Sequence, residues 1–441
     1  MMTALDLRLR QALQPWRAAS AWRIALSGGL DSSVLLHLLA DWARSEDLPP
    51  ISAIHVHHGL QAAADAWPEH CARVCAQLGI VLEVVRVQVA PGASLEQAAR
   101  NARYEVFAER LGVGDVLLSA QHRDDQAETL LFRLLRGAGV RGLAAMPASR
   151  PLGQGSLLRP LLDSSRAELH EYALSHGIAW IEDPSNADER FSRNFLRRQV
   201  MPLLAGRWPQ VTASLERSAR HLGEAQQLLD ELAEMDLAAA RGVSACPWLP
   251  LQSLDLSALS TLSDARQRNL LRYWLAPLTR MPDSDHWAGW CDLRDAVVDA
   301  TPIWRLADGE LHRADGRLWW LSGEWLNPLT MIDLPCAAFR ESAELPGNGR
   351  VQVLGELPHG RWHLRYRQGG ESLQVPGRGR RDLKRLLNEM RVPAFVRPRL
   401  PLLFDGEELV AVANLTQSPG VEACEARLHW SPPIGAQGLS W

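Results

Sequence analysis

Long apolar runs, paired cysteines and excess positive charge are all missing from this 441-residue sequence. No apolar run approaches the roughly 20 residues that a membrane-spanning helix needs. The N-terminus also lacks an apolar core followed by a small-residue cleavage site. We therefore expect a cytoplasmic protein that makes no membrane contact.

The cysteines have no C-x-x-C spacing, which excludes a zinc ribbon and a sulfur-carrying cysteine pair. Cys71 and Cys75 are four residues apart on an expected helix, beside His70. No second pair of ligands with suitable spacing follows them. We predict that both cysteines are small buried hydrophobic residues rather than metal ligands.

Positive charge is not in excess, because the formal net charge is −4. Lys384 is the only lysine, and the other positively charged residues are arginines. The preference for arginine fits a composition bias, and no function follows from it. The chain as a whole is not a polycation, so any contact with nucleic acid must come from local patches.

Residues 22–183 alternate between short apolar runs and amphipathic helical patterns. The apolar runs are continuous, as expected for strands covered on both faces, and the alternation predicts an α/β fold with a doubly wound, Rossmann-like, five-stranded parallel sheet. The predicted strands are 22–26, 51–56, 81–89, 115–120 and 180–183. The predicted helices are 31–44, 64–78, 94–111, 125–136 and 165–176, with Ser94 and Ser165 as helix starts.

Pattern and composition divide the chain into four parts: an α/β domain at 1–209, a helical domain at 210–325, a linker at 326–347 and a small α+β domain at 348–441. In the last part, "RWHLRYR" and "ELVAVAN" are predicted strands and "RDLKRLLNEM" is a predicted helix. Residues 361–399 hold ten arginines and Lys384 against three acidic residues, a net charge of +8. This segment is the local basic patch.

The stretch "IALSGGLDSS" passes from a strand through two glycines into a helix. Glycines let the backbone approach phosphate oxygens, and backbone N–H groups at a helix N-terminus bind anions. A carboxylate beside phosphates requires a cation between them, so Asp31 indicates Mg²⁺. The alternative is a glycine turn capped by Asp31 and Ser32. The candidate phosphate-binding residues are Ser27, Gly28, Gly29, Leu30, Asp31 and Ser32.

Two further clusters follow strand ends. "HVHHGL" (55–60) holds either core and surface histidines or part of a nucleotide-binding wall that includes His57. In "DDQAET" (124–129), Asp125 and Glu128 are three apart and share a helix face. They either cap the helix N-terminus or form a carboxylate cluster for Mg²⁺ or an amine. If strands one and four are neighbours, this cluster and the Ser27 loop face one crevice.

A glycine-rich segment carries arginines at residues 133–142. Arg136 and Arg141 lie beside Gly137, Gly139 and Gly142. Such a loop can approach a nucleic-acid backbone. It is equally typical of a helix C-terminus with solvated arginines.

The S-G-G-x-D-S motif matches the N-type ATP pyrophosphatases, or PP-loop family, whose members adenylate a carbonyl oxygen and release pyrophosphate. Together with H-V-H-H-G-L, D-D-Q-x-E-T, R-G-x-G-x-x-G-L, R-P-L-L, E-D-x-S-N and R-N-x-L-R, it resembles the tRNA(Ile)-lysidine synthetase family. The resemblance covers about residues 20–210 and returns at 377–415. Gln121 departs from it, since the family usually has histidine there, and we expect no essential role at this position.

The resemblance implies ATP and Mg²⁺ as cofactors, and free L-lysine and the tRNA(Ile) with a CAU anticodon as partners. The 27–32 loop and His57 would bind ATP, with Asp31 on Mg²⁺. Asp125 and Glu128 would pair with the ammonium groups of lysine or help to deprotonate its attacking amine. Arg197 would stabilise charge or hold the adenylated base. Residues that would contact tRNA are Arg136, Arg141, Arg378, Arg380, Arg381, Lys384 and Arg385. The family also allows a homodimer.

Three alternatives stay open. A PP-loop sulfur transferase acting on tRNA would need suitably placed cysteines, which are missing here. A glutamine-using relative would need an amidotransferase cysteine, and the first 20 residues contain none. A non-catalytic RNA-binding protein with a degenerate ATP fold fits poorly with the intact loop and acidic cluster.

Overall fold

The computed structural model describes residues 3–59, 62–89, 95–281, 287–297, 300–335, 342–357, 359–417 and 426–435. The chain divides into two compact units, Met1–Leu228 and Leu229–Ser440. The division falls inside one long helix, Val211–Arg241. Within the described ranges, no helix combines the length and apolar character that crossing a membrane requires. The four domain boundaries drawn from composition remain predictions.

The first unit contains a six-stranded sheet with helices on both faces. Its strands are β1 (Ala21–Ala25), β2 (Ile51–His57), β3 (Val81–Arg86), β4 (Asp115–Leu118), β5 (Ser149–Leu152) and β6 (Gly155–Leu158). Its helices are α1 (Ala4–Leu13), α2 (Leu30–Ala43), α3 (Trp67–Leu78), α4 (Leu95–Arg110), α5 (Arg123–Leu134), α6 (Val140–Leu143), α7 (Arg166–Ser175), α8 (Ser192–Phe195) and α9 (Met201–Arg207). The helix Val211–Arg241, α10, begins in this unit. The predicted helix starting at Ser165 is confirmed, with a capping box to Glu168, whereas Ser94 lies outside the described residues.

The strand order is β3-β2-β1-β4-β6-β5, and the first five of these strands are parallel. Strands β1 and β4 are neighbours, with Trp22 paired to Val116 and Ile24 to Leu118. The strand order therefore reverses between them: β2 and β3 lie on one side of β1, and β4 and β6 lie on the other. Both loops that follow β1 and β4 open at the same sheet edge, where doubly wound folds bind ligands.

The predicted strand at 180–183 is wrong, because these residues lie outside any strand. The fifth parallel strand is β6, which forms an antiparallel hairpin with the edge strand β5. At 181–185, Ile181 instead donates its N–H to the Gly28 carbonyl at 2.8 Å. Asp183 accepts from the Ser185 N–H and starts a 3₁₀ turn at Pro184. The extended conformation that precedes proline thus serves a loop contact rather than the sheet.

Alternation along the strands divides the core between two faces. Trp22, Val116 and Leu118 pack with α2 and α7, whereas Leu117 packs on the opposite face with Phe107 of α4. Burial on both faces explains why these strands are continuously apolar.

The second unit contains helices and small antiparallel sheets. Its helices after α10 are α11 (Leu256–Ser260), α12 (Asp264–Leu275), α13 (Ala288–Asp295) and α14 (Leu383–Glu389). Its strands are β7 (Ser253–Asp255), β8 (Ile303–Arg305), β9 (Glu310–Ala314), β10 (Arg317–Leu321), β11 (Asp333–Pro335), β12 (Ala343–Glu344), β13 (Arg350–Leu354), β14 (Trp362–Arg365), β15 (Ser372–Val375), β16 (Gly379–Asp382), β17 (Leu402–Asp405), β18 (Glu408–Val412), β19 (Thr416–Gln417) and β20 (Arg427–Ser431).

The helical region predicted at 210–325 also holds a four-stranded antiparallel sheet, β7-β10-β9-β8. Its strands are only three to five residues long, which is too short for a clear period-two pattern. In the predicted linker, β11 pairs with β14, so part of that segment belongs to the C-terminal sheet. The two quoted C-terminal strands and the helix are confirmed.

Candidate active site

Hydrogen bonds between its own serines stabilise the loop between β1 and α2. The Ser32 hydroxyl accepts from the Ser27 N–H at 3.2 Å and lies 3.0 Å from the Ser27 hydroxyl. Gly29 precedes the helix with φ −74° and ψ 170°, and its carbonyl accepts from the Ser33 N–H. These bonds fix a turn whose backbone N–H groups gather at the N-terminus of α2. The geometry is that of an anion-binding loop.

Gly28 is the residue in this loop that cannot carry a side chain. Its φ is +84°, and an added Cβ would lie 2.8 Å from Cδ1 of Ile181 and 3.1 Å from Sγ of Cys71. Both cysteines of α3 are buried, as predicted, and burial raises the pKa of the Cys71 thiol to about 12. The segment at Ile181 and helix α3 therefore press on the loop from outside.

We expect Gly28→Ala to lower the free energy of unfolding by about 2 kcal/mol, because left-handed backbone costs about 1 kcal/mol and the new methyl group is crowded. Denaturant unfolding measures the effect. Gly177→Ala is the matched control, since Gly177 has φ +61° but open space around it. Equal losses in the two variants would show that crowding at Gly28 contributes nothing.

His122 joins the phosphate loop to the acidic cluster, a role that sequence reasoning missed. Its ring is 1% exposed, and Nε2 lies 3.7 Å from Oδ1 of Asp31 and 3.5 Å from Oδ2 of Asp125. Burial opposes protonation of the ring, but the carboxylates of Asp31, Asp125 and Asp124 outweigh it and raise the pKa of His122. The imidazole thus sits between two candidate functional carboxylates. No local pattern in the sequence could have identified this role, because Asp31 and Asp125 lie on different helices.

Glu128 and Arg197 form the second half of the site. Arg197 donates from Nε to Oε1 of Glu128 at 2.7 Å and from Nη2 to Oε2 at 2.8 Å. It also donates to Oδ1 of Asp125 at 3.2 Å. Burial raises the pKa of Glu128 although Arg197 pulls it down, and the same carboxylates raise the pKa of Arg197 against its own burial. Both oxygens of Glu128 are therefore committed to the guanidinium.

Arg197 lies in a short π-helical turn, Leu196–Val200, between α8 and α9. Such turns are rare and frequently mark functional positions. Asn194, one turn earlier, donates its side-chain amide to the carbonyls of Ser185 and Asp188. The segment is thereby fastened to the loop that continues from Ile181.

The three acidic residues of the predicted cluster have different surroundings. Asp124 accepts from the N–H of Arg166 at 2.8 Å and so caps helix α7. Asp125 accepts from the His122 N–H and from Arg197. The helix-capping alternative therefore holds for Asp125, which accepts the N-cap N–H of its own helix α5, although Asp125 and Glu128 also face Arg197.

A cavity of about 230 Å³ opens beside the loop. Its lining includes Ser27, Asp31 and Asp125, together with His55 and His58 at the end of β2 and several residues of α4. These two histidines were not in the predicted ATP-binding set.

Arg103 donates to Nε2 of His58 at 3.2 Å, and burial together with this cation lowers the pKa of His58 to about 4. His58 is therefore a neutral acceptor in the cavity wall. His57 is buried with Nε2 3.3 Å from Asp65 and is outside the cavity lining, so its contact with ATP stays a prediction.

The glycine-rich loop after α5 separates its arginines by role. Arg133 donates to the carbonyls of Gly142 and Ala145 and so holds the loop in place. Arg136 and Arg141 are exposed, and Arg136 stacks on Phe132. They remain candidates for contact with a nucleic-acid backbone.

The predicted basic residues of the C-terminal unit are exposed around the β15–β16 hairpin and α14: Arg378, Arg380, Arg381, Lys384 and Arg385. Arg378 pairs with Glu389, and Arg380 donates to Ser372. Arg399 is different, because it is 7% exposed and donates to main-chain carbonyls, among them those of Gly347 and Asn327. The net charge of +8 counted over residues 361–399 is therefore larger than the charge that this segment exposes at the surface.

Asp31 fits a Mg²⁺ ligand that acts together with phosphates. Its Oδ1 is buried without a hydrogen-bond partner, although the side chain is 34% exposed. Among the described residues, no group of three or more His, Cys, Asp or Glu side chains forms a metal cage. Mg²⁺ commonly takes one or two carboxylates, with substrate phosphates and water completing its shell.

Comparison with known proteins decides the family. Residues 1–204 match the model of the PP-loop domain, 254–319 that of the TilS substrate binding domain, and 362–431 that of the TilS substrate C-terminal domain. The tRNA(Ile)-lysidine synthase of Pseudomonas fluorescens is 63% identical over 435 residues, which cover 99% of this chain and 98% of that protein. The chain belongs to the tRNA(Ile)-lysidine synthase family.

The Pseudomonas syringae tRNA(Ile)-lysidine synthase is 62% identical, with 99% of this chain and 98% of that protein covered. A solved U34-tRNA thiolase from Methanococcus maripaludis is similar over 50% of this chain and 78% of its own, with a TM-score of 0.43 and 18% identity, too weak to support an argument. The synthase family inferred from the quoted motifs is thus confirmed.

Proposed function

We propose that this chain joins the ε-amine of free L-lysine to the wobble cytidine of a tRNA(Ile) with a CAU anticodon. One observation carries the chemistry: His122 lies within 3.7 Å of both Asp31 and Asp125, so the phosphate loop and the carboxylate–arginine cluster form one site. A site for ATP phosphates adjoins a site for an amine. That arrangement suits adenylation followed by amine attack.

In the first step, the C2 carbonyl oxygen of cytosine attacks the α-phosphorus of ATP and pyrophosphate leaves. The loop from Ser27 to Ser32 would bind the phosphates through its N–H groups other than those of Ser27 and Gly29, which donate to the loop's own serine hydroxyls. Asp31 would hold Mg²⁺, which neutralises phosphate charge when bound. The cavity beside His55 and His58 would take the nucleoside.

In the second step, the ε-ammonium of lysine would give a proton to Asp125, and the resulting amine attacks C2. The C2–O bond breaks and AMP leaves with the oxygen. Asp125 would accept the ammonium of lysine, because it lines the cavity and its side chain is 18% exposed, whereas that of Glu128 is 4% exposed. Glu128 would position Arg197 rather than bind lysine, since both its oxygens receive hydrogen bonds from the guanidinium. Arg197 would face the charge that develops on the adenylated base.

The exposed arginines would hold the tRNA backbone, which binds through cations and loses affinity with salt. Arg136 and Arg141 lie in the catalytic unit. The hairpin–helix patch lies in the second unit and would contact a base-paired stem. A homodimer and a cytoplasmic location are part of the proposal, and lysine as the amine donor is its most specific element.

We expect the triple variant Arg381→Gln, Lys384→Gln, Arg385→Gln to weaken tRNA binding and to flatten its dependence on salt, because up to three phosphate contacts are lost. Filter binding across a salt series measures both. The control is Arg350→Gln, which removes a 58% exposed arginine of the same unit that lies outside both segments matching the TilS substrate domains. An unchanged salt slope in the triple variant would remove this patch from the tRNA interface.

The proposed reaction is tested with purified protein, ATP, Mg²⁺, labelled lysine and tRNA transcripts. Label should enter the CAU transcript and be lost when the wobble cytidine is replaced by uridine. No label in the CAU transcript would refute the proposal. Equal label in both transcripts would show that cytidine is not the acceptor.

A further inference from the structure

Two phenylalanines stand exposed beside the catalytic arginine. Phe191 is 38% exposed and Phe195 is 47% exposed. Phe191 is the N-cap of α8 and Phe195 is its last residue. Phe195 donates its N–H to the Phe191 carbonyl at 3.0 Å, so the two residues lie one helical turn apart along the chain. The next turn is the π-helical turn that holds Arg197.

Their exposure is costly for the isolated protein. Burial of a phenylalanine side chain stabilises a fold, yet these two rings stay partly exposed to water. Partly exposed aromatic rings suit a ligand with flat apolar faces.

The charge around these rings selects the kind of ligand. Residues 190–208 contain five arginines and no acidic residue, and two of these arginines, Arg190 and Arg198, pair with the preceding Asp188 and Glu189. Arg198, next to Arg197, keeps 49% of its side chain exposed. Aromatic side chains interleaved with arginine are typical of surfaces that bind single-stranded RNA, where bases stack and cations follow the backbone.

We propose that Phe191 and Phe195 form a stacking surface for the bases that flank the modified cytidine in the anticodon loop. This inference rests on the proposed function, because a cytidine that enters the site at Arg197 must leave the stack of its neighbours. The rings replace the lost base stacking and hold the loop open. The two rings are positioning residues for the tRNA and take no part in the chemistry.

The test measures tRNA binding without lysine transfer. Wild type and Phe195→Ala are compared at fixed salt, each with intact CAU tRNA and with tRNA made abasic at a position flanking the wobble cytidine. We expect each change alone to weaken binding about 5- to 150-fold, the range for loss of one stacked base. The two changes together should weaken it no further. Phe195→Trp should retain affinity, and Leu174→Ala, at a 62% exposed leucine on α7, should bind like wild type.

Wild-type affinity in Phe195→Ala, or losses that multiply when both changes are combined at every flanking position, would overturn the stacking surface. These binding measurements do not depend on catalysis. If the combined changes weaken binding no further than one change alone, but labelled lysine never enters tRNA, the proposed reaction fails and the stacking surface stands. If lysine enters tRNA but the losses multiply, the proposed reaction stands and the stacking surface fails.

Discussion

Asp31→Asn should abolish tRNA-dependent ATP–pyrophosphate exchange while tRNA binding is retained. The carboxylate lies at the start of α2 beside the phosphate loop, and its buried Oδ1 has no hydrogen-bond partner. An amide of the same shape keeps the fold but removes the charge that would hold Mg²⁺ against the phosphates. We expect a loss of at least about 10²-fold, comparable to removal of one electrostatic group from a preorganised site.

The matched control is Asp41→Asn on the same helix, where the carboxylate is 59% exposed and pairs with Arg44. This variant should exchange pyrophosphate at the wild-type rate. If Asp31→Asn retained full exchange activity, Asp31 would have no part in adenylation. If it lost tRNA binding as well, the substitution would have disturbed more than the phosphate site.

Arg197→Met should abolish lysine transfer and also destabilise the protein. Glu128 is 4% exposed, and removal of Arg197 leaves this buried carboxylate with only the longer ion pair to Arg193, at 3.9 Å. We expect a loss of about 3 kcal/mol, at the lower end for a broken buried pair because Arg197 is itself partly exposed. Arg198→Met, which breaks only an exposed pair with Glu189, should cost less than 1 kcal/mol.

The stability loss in Arg197→Met should depend on pH. Burial already raises the pKa of Glu128 above its ordinary value of 4.5, and Arg197 is the group that opposes this rise. Without Arg197 the pKa rises further. A carboxyl whose folded pKa exceeds its unfolded pKa destabilises the fold when ionised, so the penalty is small near pH 4.5 and grows toward neutral pH.

Denaturant unfolding at pH 5 and pH 7.5 measures this difference. The double variant Arg197→Met, Glu128→Gln should recover most of the stability at neutral pH and none of the lysine transfer. A loss in the single variant that stays constant with pH would contradict the assignment of the penalty to Glu128.

The phosphate loop could be predicted from sequence because its determinants are local. The strand, two glycines, Asp31 and Ser32 lie within a dozen residues, and the helix N-terminus follows from them. Ion pairs between residues distant in the chain could not be predicted from the sequence in the same way. Arg197 and Glu128 are 69 residues apart, and no pattern in either segment shows that one holds the other.

The strand predicted at 180–183 was wrong and the role of His122 was missed, each for an identifiable reason. Residues 180–183 are extended and partly apolar, which is equally true of a strand and of a segment that packs on a loop. The true fifth parallel strand, "GSLL", is only four residues long and begins with a glycine. His122 carried no signal of its own until the fold placed Asp31 and Asp125 on either side of it.

The fate of one oxygen atom tests the central claim most directly. A CAU tRNA whose wobble cytidine carries ¹⁸O at the C2 carbonyl is incubated with the protein, ATP, Mg²⁺ and lysine, and the released AMP is analysed by mass spectrometry. Adenylation of the carbonyl followed by amine attack predicts one ¹⁸O atom in AMP for each lysine incorporated. Lysine incorporation with unlabelled AMP would contradict the account.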